Sequence, residues 1–267
     1  MRTIFALDNC DATKKVIVSS LGLNVIILMK SKILNKLLFV VPFIAIFVSC
    51  NEIDNTPVIY GDAIVRSFNR GDSVVYGVCF YTYSYDRMKQ VKVSKEGANQ
   101  EQLLDSAGNR YTFYFMPDSS VYSSKKPASG KYQFDVLFDD GTALTAYDYL
   151  DSAIMNPPVI KKCEFDSVDL KLNLEWDKVT SAQQYRIFLE NEKNEVVFQS
   201  DFLSSSKLSF GITSSTDGWL SSKRPGGGEN YKLLLVAYQY EAVATAFDLQ
   251  SISFTEGNYF KWKIYTD

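Results

Sequence analysis

Strict alternation of large apolar and polar residues is the feature that most constrains what this chain can fold into. Tyr132, Phe134 and Val136 recur at every second position, and Leu170, Leu172, Leu174 and Trp176 alternate with Lys171, Asn173 and Glu175. Tyr185, Ile187 and Leu189 repeat the pattern, as do Tyr231, Leu233, Leu235 and Ala237. A period of two belongs to strands with one buried and one wet face, and no long stretch shows the helical period. The aromatic share of 14%, mostly Tyr 17 and Phe 18, suits pleated, half-buried surfaces. An all-β chain is expected.

Composition narrows the chemistry further. The chain has no histidine, which excludes imidazole zinc sites and Ser-His or Cys-His nucleophile pairs. A net charge of −3, without a basic cluster, argues against a nucleic-acid partner.

Lys30, Lys32 and Lys36 precede an apolar run over residues 37–48 that only Pro42 interrupts. At about a dozen residues it is shorter than the roughly 20 that a membrane-spanning helix needs, and it reads as an export signal. The run ends in Phe47-Val48-Ser49-Cys50, which resembles the lipobox of bacterial lipoproteins. The resemblance implies that Cys50 is lipidated, becomes the mature N-terminus and holds the protein on the membrane. Met29 stands directly before Lys30, so residues 29–49 form the signal peptide and residues 1–28 are expected to be an over-extended start. Residues 50–57 read as a tether, and Glu52 and Asp54 within it resemble the surface-export signals of Bacteroidetes lipoproteins. An outer-membrane lipoprotein facing the surface or the periplasm is the expected localisation.

The remaining chain is long enough for two sandwich domains of about 100 residues each. Asn156-Pro157-Pro158 is the clearest internal punctuation, because consecutive prolines cannot donate to a ladder. Segments 58–65, 73–85, 90–93, 111–116, 132–138 and 143–149 read as strands separated by turn chemistry, with Asp139-Asp140-Gly141 a hairpin signal. Residues 58–156 therefore read as an immunoglobulin-like sandwich. In 157–267, a strand ending in Trp176, a strand opening with Tyr185 and a late Tyr231 resemble a fibronectin type III module. That resemblance places Trp176 and Tyr185 in a core and directs the Tyr231 hydroxyl to nearby backbone. Residues 259–265 run past its usual last strand.

The candidate sites are few. Arg70-Gly71-Asp72-Ser73 contains the tripeptide that animal integrins recognise, but Gly and Asp suit an ordinary turn before the next strand. Asp139 and Asp140, or Glu190, Glu192 and Glu195, lack the ligand spacing of a calcium loop and read as solvated turns. Gly226-Gly227-Gly228 lacks the Lys-Ser/Thr of a phosphate loop and reads as a flexible turn. Cys79 and Cys163 lie in separate modules and are expected to be buried free thiols. Tyr81, Tyr83 and Tyr85 share one strand face, and burial of at least two of the three is expected. No catalytic, metal or cofactor constellation stands out. The expected function is a non-enzymatic, lipid-anchored envelope protein that binds a ligand, a glycan or another envelope protein. The alternative is a structural or assembly subunit of a fimbrial or envelope complex.

Overall fold

The computed structural model describes residues 56–220, 225, 227–242 and 248–263. They are built from sixteen strands and a single 3-10 turn, Ser119–Val121. The amino-terminal half opens with β1 (Ile59–Arg70) and β2 (Ser73–Ser84), paired antiparallel in register from Ile59↔Ser84 to Arg70↔Ser73. Gly71 and Asp72 are the two-residue hairpin turn between them. Gly71 sits at φ 58°, the left-handed conformation that such a turn places at its first central residue. The integrin-type tripeptide is therefore part of a β-turn. β3 (Met88–Lys95), β4 (Glu101–Leu103), β5 (Asp105–Ser106), β6 (Thr112–Phe115), β7 (Gly130–Phe138) and β8 (Ala143–Leu150) complete this half.

The carboxy-terminal half contains β9 (Ile160–Asp166), β10 (Lys171–Trp176), β11 (Gln184–Asn191), β12 (Val196–Gln199), β13 (Leu203–Ser204), β14 (Ser209–Ile212), β15 (Asn230–Tyr240) and β16 (Leu249–Lys261). Leu172, Leu174 and Trp176 are buried as the alternation requires. Leu170 instead sits in the preceding turn at φ 49°, so the strand begins one residue later than the pattern suggests.

One sheet of nine strands runs through both halves in the order β12-β11-β15-β16-β1-β2-β6-β5, with β13 also paired to β11. The join is parallel: Val65, Arg66, Ser67 and Phe68 of β1 face Ser251, Ile252, Ser253 and Phe254 of β16. A four-stranded sheet, β4-β3-β7-β8, and a three-stranded sheet, β14-β10-β9, complete two separate cores. The amino-terminal core gathers Ala63, Val65, Met88, Phe113, Phe134 and Phe138. A side chain at Gly61 would place its Cβ 2.6 Å from the Phe134 ring, so glycine lets β1 lie against that core. The carboxy-terminal core gathers Leu172, Trp176, Tyr185, Ile187, Leu235 and Trp262. The fold is thus all-β with sandwich packing, and its two sandwiches share a sheet.

The proline-bearing crossover is a packed segment. Met155, Pro157 and Pro158 are buried; the Met155 carbonyl accepts from Ser67 Oγ at 3.1 Å, and the Pro158 carbonyl accepts from Thr255 Oγ1 at 2.5 Å. On the join itself, the Phe68 and Phe254 rings stack at 5.1 Å and the Arg66 guanidinium lies 4.9 Å above the Phe254 ring. Phe254→Ala should therefore cost about 3–5 kcal/mol, as expected for deletion of a buried aromatic ring, and lower the Tm of the whole chain in a thermal melt.

Candidate functional site

Two features outside the cores bring side chains together in ways that could bind something. The first is a tyrosine strip on β1 and β2. Ladder register sets Tyr60 opposite Tyr83 and Asp62 opposite Tyr81, and directly opposed residues project to the same face of a sheet. The Tyr60 and Tyr83 rings stack at 6.4 Å, and Tyr85 meets Tyr83 edge-on at 5.2 Å. Tyr60 is 46% exposed and Tyr85 67% exposed, whereas Tyr81 and Tyr83 are half-buried. The expected burial of at least two of the three is reached only in part: Tyr81 and Tyr83 are half-buried, and Tyr85 is exposed because it lies past the last ladder residue, Ser84. Partial burial raises the pKa of both Tyr81 and Tyr83.

The second feature is a carboxylate cluster at the place where β1 and β16 part. Asp62 from β1, Asp148 from β8 and Glu241 directly after β15 each offer an oxygen within 4.8 Å of the others. Beyond the Val65–Ser251 pair the parallel ladder opens, leaving backbone donors without a strand partner. Leu249 N–H donates to Asp62 Oδ2 at 3.0 Å, and Ala63 N–H donates to Asp148 Oδ2 at 2.7 Å. Gln250 continues the seam by exchanging two hydrogen bonds of 3.1 Å with the Asp151 backbone. Burial, and then the nearby carboxylates, hold the Asp62 pKa well above the usual carboxylate range. Burial, the Asp148 charge and a hydrogen bond with the Asp148 side chain push Glu241 up to about 7, and burial raises Asp248.

The residues singled out in the sequence have other occupations. Asp139 pairs with Arg110 and, at 3.4 Å, with Arg87, while Asp140 caps its own turn through Thr142. Glu190 pairs with Lys232 at 3.1 Å, Glu192 accepts from Asn230 and Glu195 accepts from Asn191. Each group has a protein partner, and the structure does not bring them together. Trp176 and Tyr185 are core residues in edge-on contact at 5.6 Å. The Tyr231 hydroxyl donates to the Glu229 carboxylate. The Tyr185 hydroxyl binds backbone, accepting from Val179 N–H at 2.8 Å. Gly228 lies in a turn at φ 86°, and Gly226 is outside the described residues. So are Cys50, the signal segment 29–49, residues 1–28 and most of the tether. Among the described residues no helix is long and apolar enough to cross a membrane.

Cys79 is buried and Cys163 half-buried, and both are free. Tyr122 lies over this part of β2: its hydroxyl is 3.9 Å from Cys79 Sγ, and a Cβ on Gly77 would come within 2.8 Å of its ring. Burial pushes both thiols up to about 11. The folded state therefore favours the protonated thiol, and the stability this contributes is complete below the unfolded value near 9. It is lost as pH rises through about 11. Native protein should resist alkylation of Cys79 at pH 7.5, with labelling only on unfolding, and chemical denaturation should show falling stability above about pH 9.

No family model matches the chain, and no curated protein matches it. Solved structures with some likeness include a DUF3823 family protein from Bacteroides uniformis, at 10% identity and a TM-score of 0.32, over 76% of this chain and 99% of that one. A two-domain fibronectin type III segment of chicken tenascin aligns at 8% identity and a TM-score of 0.26, again over 76% and 99%. The BSP domain of a biofilm-associated protein aligns at 10% identity and a TM-score of 0.23, over 78% of this chain and 30% of that one. Likeness at this level assigns no family, and the fold rests on the ladders and cores described above.

Proposed function

We propose that the chain is a non-enzymatic cell-envelope module, held on the outer membrane by a lipid on Cys50, that binds a glycan or another envelope protein. The observation that carries this reading is the open tyrosine strip of Tyr60, Tyr83 and Tyr85. Stacked rings offer an apolar plate with polar rims, which suits the faces and hydroxyls of a sugar, and exposed rings of this kind do little for the core. The basic n-region, the short apolar run and Cys50 support the anchor.

A second reading, an assembly subunit, is favoured by β8, which is the last strand of its sheet and presents Tyr147 and Tyr149 to solvent. A partner strand would add to such an edge through main-chain hydrogen bonds.

The discriminating experiment is a glycan array probed with the full chain, followed by titration of any hit. Replacing Tyr60 and Tyr85 with Ala should abolish binding while each change costs less than about 0.5 kcal/mol of stability. Unchanged binding by the double variant would contradict the strip as the site. Binding lost instead on placing Pro within β8 would favour the assembly reading. For the anchor, Cys50→Ala should release the protein to the soluble fraction; continued membrane association would contradict it.

A further inference from the structure

We propose that Asp62, Asp148 and Glu241 hold a calcium ion at the seam between the two halves of the nine-stranded sheet. The three residues come from three separate segments, and their carboxylate oxygens converge within 4.8 Å. Their role as acceptors for stranded backbone donors accounts for only part of the cluster: Asp62 Oδ2 takes Leu249 N–H and Asp148 Oδ2 takes Ala63 N–H. Asp62 Oδ1 and Glu241 Oε1 are shut off from solvent and have no hydrogen-bond partner. A buried carboxylate oxygen without a donor carries its full desolvation cost, and three carboxylates whose oxygens lie within 4.8 Å of one another add repulsion. Among the described residues no lysine or arginine pairs with any of the three. A cation between them would remove both costs.

The donor set selects the cation. It consists of oxygen alone: the chain has no histidine, and neither Cys79 nor Cys163 belongs to the cluster. Oxygen-only sites suit hard divalent ions rather than zinc or copper. Magnesium demands a near-ideal octahedron and keeps most of its water, whereas calcium accepts irregular sets of carboxylates and carbonyls with few waters. A site assembled from a strand, an edge strand and the start of a hairpin loop, with its oxygens largely shielded, fits calcium. Asp62 and Asp148 belong to the amino-terminal half and Glu241 to the carboxy-terminal half, so the ion would tie the halves together beyond the point where the ladder ends.

The test uses the full chain stripped with EGTA and titrated with calcium chloride, by calorimetry and by thermal melting. One calcium per chain is expected. For a dissociation constant about a hundredfold below the added calcium, the Tm should rise by about 5–10 °C. Asp62→Asn and Glu241→Gln should each remove the rise, and in EGTA each should melt at or above the wild type because it relieves like-charge repulsion. Should Asp62→Asn fail to fold, Glu241→Gln carries the test alone, since it lies outside the ladders. Absence of calcium binding, an equal rise with magnesium, or a calcium-dependent rise retained in Glu241→Gln would each overturn the assignment.

Discussion

The parallel pairing of β1 with β16 is the contact on which the rest of the structure depends. β1 is the first strand of the described chain and β16 the last, so nearly the whole intervening sequence has to fold back before the ladder closes. Such a contact is costly in loop entropy, and its benefit comes only when both ends are in place. Its inner face explains how two cores share one sheet. Ser67, Ser251 and Ser253 are all fully buried there, small residues that leave room for the crossover carrying Met155 and Pro158. On the outer face, the ring stack of Phe68 with Phe254 and the cover of Arg66 seal the same join.

The end of that ladder also creates the carboxylate cluster. Where β1 and β16 diverge, Ala63 and Leu249 keep N–H groups that no strand can accept, and an aspartate reaches each of them. A neutral side chain could have served the same donors. Aspartates leave surplus oxygens, and Glu241 adds another from across the seam. The tyrosine strip begins one ladder step away, since Asp62 opposes Tyr81 and Tyr60 opposes Tyr83. Order at the seam and order in the strip are therefore physically linked through β1.

Much of this architecture was legible in the sequence, because period-two alternation reports one buried face directly. β7 and β10 lie where Tyr132 to Val136 and Leu172 to Trp176 place them, and the Asp139-Asp140-Gly141 hairpin forms with Gly141 at φ 90°. The sharing of a sheet was not legible, since alternation says which side of a strand is buried but not which strand lies beside it. Trp262 illustrates the limit. It follows β16, in the stretch that overruns a fibronectin-type module, yet it is among the most buried residues, packed against Phe165, Trp219 and Tyr231. The cluster of Asp62, Asp148 and Glu241 left no local signal at all: its members lie far apart in sequence, each beside ordinary strand residues, and only the seam unites them. The tyrosine face was legible only in part: Tyr81 and Tyr83 are half-buried rather than buried, and Tyr85, past the end of the ladder, has no opposing neighbour to cover it.

Native-state hydrogen exchange tests the shared sheet most directly. If β1 and β16 make one cooperative unit of the two halves, the slowest amides of the amino-terminal core, around Phe134, and of the carboxy-terminal core, around Leu235, exchange only through global unfolding. Their opening free energies should then agree with each other, with those of residues 65–68 and 251–254, and with the global stability. Core amides of one half opening several kcal/mol more easily than those of the other would contradict the account and make the β1–β16 ladder a contact between independent sandwiches.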